Sequence, residues 1–141
     1  LAKATLAREG LPITVNVEGH GTVPHNVHIA LYRIAQEALS NVVKHTRAKQ
    51  VTIDLRFVPL AFAVEQPSSP LNRIDGLRVE LGIREDARGF DLKAIPPERL
   101  GLDLMRERAE SVGAQFKVES AAGCGTSLMV TWKNGQGGTD Q

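Results

Sequence analysis

The sequence predicts an α+β fold, a two-layer sandwich in which helices cover one face of a mixed, mostly antiparallel sheet. Three observations carry this expectation. Period-two alternation of apolar and polar side chains recurs at 13 to 18, 50 to 58 and 77 to 85. Two segments instead carry the helical period, and the chain closes on a pair of strand-like runs around a glycine-containing turn.

In chain order, LAKATLARE at 1 to 9 is locally helix-like and reads as the exit from an upstream helical region. ITVNVE is a strand. The stretch VPHNVHIALYRIAQEALSNVVKH repeats its apolar residues at Leu31, Ile34, Ala35, Ala38, Leu39 and Val42, one long amphipathic helix starting near Asn26. QVTIDLRFV is a second strand. Residues 59 to 76 have the Pro, Ser and Asn content of a long loop, and LRVELGIRE returns to a strand with Leu77, Val79, Leu81 and Ile83 on one face. A breaker-rich loop, DARGFDLKAIPPE, leads to a second helix from near Gly101 to near Gly113. AQFKVES and TSLMVTW then form a hairpin across AAGCG. The division expected is 1–9 as the helical exit, 10–133 as one domain and 134–141 as a loose tail.

Composition bounds the function. The chain has 141 residues, 42% hydrophobic and 23% charged, which is ordinary for one globular domain with its own core. Its 17 Lys plus Arg balance 16 Asp plus Glu. A net charge of +1 does not suit a protein that neutralises phosphates along a nucleic acid, so no nucleic-acid partner is expected. Apolar runs fall far short of the roughly 20 residues a membrane helix needs. One cysteine, Cys124, makes no internal bridge, and a cytoplasmic domain is the expectation.

Candidate chemistry lies in three places. On the first helix Glu37 and Asn41 stand four apart, with Lys44 and His45 one turn on, so all four share a polar stripe. Such a stripe is either a solvated helix face or a rigid mount for a divalent cation and anionic oxygens. Glu85 continues the apolar, odd-numbered face of its strand. It is either a frayed strand end in water or a carboxylate aimed into a pocket, able to accept a hydrogen bond from the amino group of a heterocycle. Gly101 at a helix start, and Gly123 and Gly125 before Thr126, permit either plain turns or close approach of backbone N–H groups to phosphate. His20, His25, His28 and His45 make no convincing metal set.

Taken in order, LYRIAQEALSNVVKH, IREDARGFD, LGLDLMRERAESVGAQFKVES and GCGTSLMVTW resemble the ATP-binding catalytic domain of sensor histidine kinases. The similarity is to the short group that includes nitrate and membrane-fluidity sensors, with the Bergerat fold shared with gyrase and MutL-type ATPases. The resemblance implies ATP and Mg²⁺ as cofactors, Glu37 as the acid/base residue that assists an acceptor histidine, and Asn41 as the metal ligand. It places Lys44 and His45 along the phosphates or ribose, Arg99, Gly101 and Leu102 in the phosphate-covering glycine block, and Gly123, Gly125 and Thr126 in the last glycine turn. The implied partners are a phosphoacceptor-histidine dimerisation domain of the same parent protein and a response regulator downstream.

The chain departs from the family pattern at the adenine end. The expected aspartate of D-x-G-x-G is Glu85 and the middle glycine is Ala87, with Gly89 retained; Arg99 stands where the second block has its first glycine. The longer acid either shifts the adenine or gives way to Asp86 through a bulge. A non-catalytic module of the same fold, acting through protein contacts, is the competing expectation that these changes raise.

Overall fold

A computed structural model describes residues 2–8, 11–45, 50–61, 75–86, 101–121 and 125–134. Within them, β1 (Ala2–Arg8) and β2 (Leu11–Glu18) precede α1 (His25–His45). β3 (Val51–Ala61), β4 (Asp75–Glu85), α2 (Leu102–Ser111), β5 (Gln115–Ala121) and β6 (Gly125–Asn134) follow. The strands form one sheet in the order β1-β2-β3-β4-β6-β5, in which only the β2–β3 pair is parallel. That parallel pair is joined through α1, because two parallel neighbours need a crossover long enough to carry the chain back.

Side-chain parity explains the layers. Odd positions of β2, β3 and β4 and even positions of β5 and β6 face the helices, so Leu55, Leu81, Val130 and Phe116 fall in one row across four strands. Val27, Leu31, Ile34, Ala38 and Val42 of α1 and Met105 and Ala109 of α2 pack onto that face, and Ile34 and Val130 are fully buried. Trp132 is buried in the same layer. The opposite face is polar: Arg56 bridges Glu18 and Glu80, while Arg84 meets Asp54, which also accepts a 2.8 Å hydrogen bond from Asn16. Among the described residues the helices therefore cover one face only, and the two-layer α+β expectation holds.

Two expectations are corrected. The helix-like opening is an edge strand, paired with β2 from Ala2↔Val17 to Arg8↔Leu11. Weak local helix propensity loses there to the unpaired rim of β2, whose other side is taken by β3. The loop expected from 59 begins later, since Pro59, Leu60 and Ala61 still pair with Leu77, Gly76 and Asp75. Pro59 lies past the last β2–β3 pair, Glu18↔Arg56, where the strand is flanked on one side and tolerates proline. The remainder of that loop, the breaker-rich loop after Asp86, the turn with Cys124 and the tail from 135 lie outside the described residues.

Candidate nucleotide site

α1 begins where the Pro24 carbonyl accepts from the backbone N–H groups of Val27 and His28, both at 3.0 Å. From there its periodicity buries the apolar stripe and brings Asn41 inward with it. Asn41 is only 4% exposed, wedged among Ala38 and Val42 rather than facing water, and Glu37, one turn earlier, is half-buried. The solvated-face alternative for the polar stripe is thereby removed for Asn41, while Glu37 keeps part of its surface exposed. Lys44 and His45 lie in α1's last turn, but their side chains fall outside the described residues.

Glu85 is 6% exposed, at the end of β4 and on its core side. The register runs unbroken from Ala61↔Asp75 to Val51↔Glu85, with no bulge. Asp86 points elsewhere, accepting a 3.1 Å hydrogen bond from the backbone N–H of Gln50. Glu85, not Asp86, is therefore the acid that faces inward. Directly across the β4–β6 ladder stands Thr126, also buried, and Gly125 before it holds φ 81°, a conformation that favours glycine.

These groups converge. Asn41 from α1, Glu85 from β4, Leu102 from α2 and Thr126 from β6 line one narrow cleft, with free space of only about 20 Å³. Its remaining walls are apolar, built from Ile83, Met105 and Leu128 among others. A mostly apolar slot with a few inward polar groups suits a flat heterocycle whose amino group needs an acceptor. Sequence reading missed Ile83, Leu128 and Met105 as walls. The signal was present: Ile83 and Leu128 share strand parity with Glu85 and Thr126, and Met105 lies one turn after Leu102.

Gly101 caps α2 in the left-handed region, φ 65° and ψ 20°, and its carbonyl accepts from Met105 N–H at 2.9 Å. It also touches the first helix: a Cβ placed there would lie 2.7 Å from Glu37 Oε2. Glu37, Gly101 and the cleft are thus contiguous. Gly89, Arg99, Gly123 and Ala87 lie outside the described residues.

The donor set fits a hard divalent cation held jointly with phosphate. Asn41 offers an amide oxygen inside the cleft and Glu37 a carboxylate beside Gly101, next to it, and no cluster of three His, Cys, Asp or Glu occurs among the described residues. Mg²⁺ ordinarily takes one or two protein oxygens and completes its shell with phosphate and water. No all-protein cage is required for such a site.

The model of the histidine kinase-, DNA gyrase B- and HSP90-like ATPases matches residues 26–136. This chain belongs to that ATPase family. The ATPase domain is 33% identical over 108 residues to the sensor protein VraS of Staphylococcus saprophyticus, covering 77% of this chain and 26% of VraS. It is 30% identical over 124 residues to the sensor histidine kinase LiaS of Bacillus subtilis, covering 87% of this chain and 30% of LiaS. The chain thus spans about a quarter to a third of these relatives. In fold it matches the blue-light activated histidine kinase of Erythrobacter litoralis, with a TM-score of 0.55 at 21% identity over 84% of this chain and 34% of that one. It also matches the histidine kinase AdeS of Acinetobacter baumannii, with a TM-score of 0.56 at 9% identity over 84% of this chain and 52% of that one. The resemblance read from the four sequence blocks is therefore correct. No helix among the described residues is long and apolar enough to cross a membrane.

Proposed function

We propose that this ATPase domain is the catalytic domain of a two-component sensor histidine kinase, binding Mg-ATP and delivering the γ-phosphate to a histidine on a separate dimerisation domain of its parent protein. The observation that carries the proposal is the meeting of buried Asn41, Glu85 and Thr126 in one slot, with Glu37 against Gly101 beside it. Within residues 10–133, the catalytic unit of this reading, the adenine lies in the apolar slot and donates its amino N–H to Glu85. Lys44, His45, Arg99, Gly101, Leu102 and the turn with Gly123, Gly125 and Thr126 surround the phosphates and ribose.

Asn41 is the protein's oxygen ligand for the metal. Mg²⁺, when bound, supplies neutralisation of charge on the phosphate oxygens. Glu37 takes the proton from the attacking imidazole nitrogen as the N–P bond forms and the bridging P–O bond to ADP breaks. Phosphoryl transfer asks a protein chiefly for alignment and charge stabilisation, which rigid mounts on α1 and β4 provide. The phosphohistidine so formed would pass its phosphate to an aspartate of a response regulator.

The test uses the full-length parent and γ-labelled ATP. Glu37→Ala should slow histidine phosphorylation by roughly a hundredfold or more while nucleotide affinity stays within a few-fold. Equal loss of both would remove Glu37 from the role of base. The competing reading, a non-catalytic module, rests on glutamate in the adenine-reading position; it prevails if the wild-type parent binds no nucleotide.

A further inference from the structure

The contact between Gly101 and Glu37 carries a consequence for how the acid is held. Four glycines among the described residues have positive φ, namely Gly19, Gly101, Gly113 and Gly125. Backbone conformation alone explains a glycine at Gly113, φ 78°, where an added Cβ would meet nothing within 4 Å. Gly101 is different. An added Cβ there would lie 2.7 Å from Oε2, 3.0 Å from Cδ and 3.1 Å from Cγ of Glu37. All three of these nearest atoms belong to one side chain, so the acid is the first group that a methyl at 101 would meet.

We infer that Gly101 is a positioning residue for Glu37: by lacking a side chain, it leaves the pocket in which that carboxylate rests at the junction of α1 and α2. The inference rests on the reading above only for what Glu37 does to a substrate, not for where it lies. The obstruction falls on the flexible end of a glutamate. A methyl group at 101 is therefore accommodated by rotation of Glu37 rather than by breaking the scaffold. The α1–α2 junction stays folded and the acid leaves its place.

The expectation separates from the ordinary role of a glycine near phosphate. Backbone N–H groups that cover phosphate survive Gly101→Ala; if the bare Cα served the phosphates instead of Glu37, the variant would weaken nucleotide binding and its loss would multiply with that of Glu37→Ala. Positioning makes the two losses coincide, because both remove the same carboxylate from the same place.

The experiment measures histidine phosphorylation in the full-length parent at saturating Mg-ATP, with nucleotide affinity alongside. Gly101→Ala should lose roughly a hundredfold or more in rate, as Glu37→Ala does, with affinity changed only a few-fold, and the double variant should be no slower than either. Glu37→Asp, one methylene shorter, should recover part of the rate in the Gly101→Ala background. Gly113→Ala shares the backbone penalty and should lower the melting temperature by about as much as Gly101→Ala, roughly 3–6 °C, without changing the rate of transfer. Multiplicative losses, or a large fall in affinity with no rescue by aspartate, would overturn the inference. A crystal structure of the 141-residue chain bearing Gly101→Ala tests the placement without any nucleotide: Glu37 displaced supports it, Glu37 unmoved refutes it. A parent that neither binds ATP nor transfers phosphate would sink the kinase reading and leave that crystallographic test standing.

Discussion

On the proposed reading, Glu85 alone accepts the hydrogen bond from the adenine amino group. Its extra methylene, relative to the aspartate the family pattern calls for, is carried on an unbent strand and projects into the slot opposite Thr126. A charge-assisted hydrogen bond of this kind is worth about 1.5–3 kcal/mol. Glu85→Ala should accordingly weaken a non-hydrolysable ATP analogue by roughly ten- to a hundredfold in calorimetric titration. Glu85→Asp should tighten it, because the shorter acid returns space to the heterocycle; unchanged or weaker affinity would mean that the slot is shaped around glutamate. Asn41 holds the metal on the same reading. Asn41→Asp should shift the Mg²⁺ concentration needed for half-maximal binding and leave the preference for adenine over guanine as it is. At this scale the sequence was informative where parity or helical spacing governs. Glu85 and Asn41 were legible as candidates from parity and spacing, but each kept a solvent-facing alternative until burial decided it, and the contact between Glu37 and Gly101, 64 residues apart, was not legible at all.

Among the elements, α1 does the most, since it both closes the core and carries Glu37 and Asn41. Ile34 is fully buried at its centre. Ile34→Ala should cost about 2–5 kcal/mol, and Ile34→Val about 0.5–1.5 kcal/mol, in urea unfolding, with the slope against denaturant unchanged. A much smaller loss for alanine would mean that the helix is less firmly seated on the sheet than its burial implies. The period of the apolar residues made α1, β2 and β4 legible in advance. β1 was not legible, because its composition favours a helix in isolation and its strand exists only through seven pairs with β2. The end of β3 was obscured by Pro59, a residue that reads as a loop until the register shows that β2 has already stopped.

For the whole molecule, the two-layer architecture brings five elements, α1, β4, α2, β5 and β6, into one cleft, so that ligand binding and folding stability are linked. A ligand that binds only the folded chain adds about 2.7 kcal/mol at a hundredfold excess over its Kd. Mg²⁺ with a non-hydrolysable ATP analogue should therefore raise the melting temperature by several degrees, and Glu85→Ala should abolish most of that rise at the same ligand concentration. The layers themselves were legible from alternation and helical period, since one polar face and one apolar face leave little choice of packing. The order of the strands was not, because pairing partners such as β4 and β6 are separated by the whole of α2 and β5.

Isothermal titration of the 141-residue chain with a non-hydrolysable ATP analogue, with and without Mg²⁺, probes the convergence of Asn41, Glu85 and Thr126 without any further domain. One site per chain, strengthened by Mg²⁺ and weakened by Glu85→Ala, is the result expected. No heat up to millimolar nucleotide in the folded wild-type chain would contradict it.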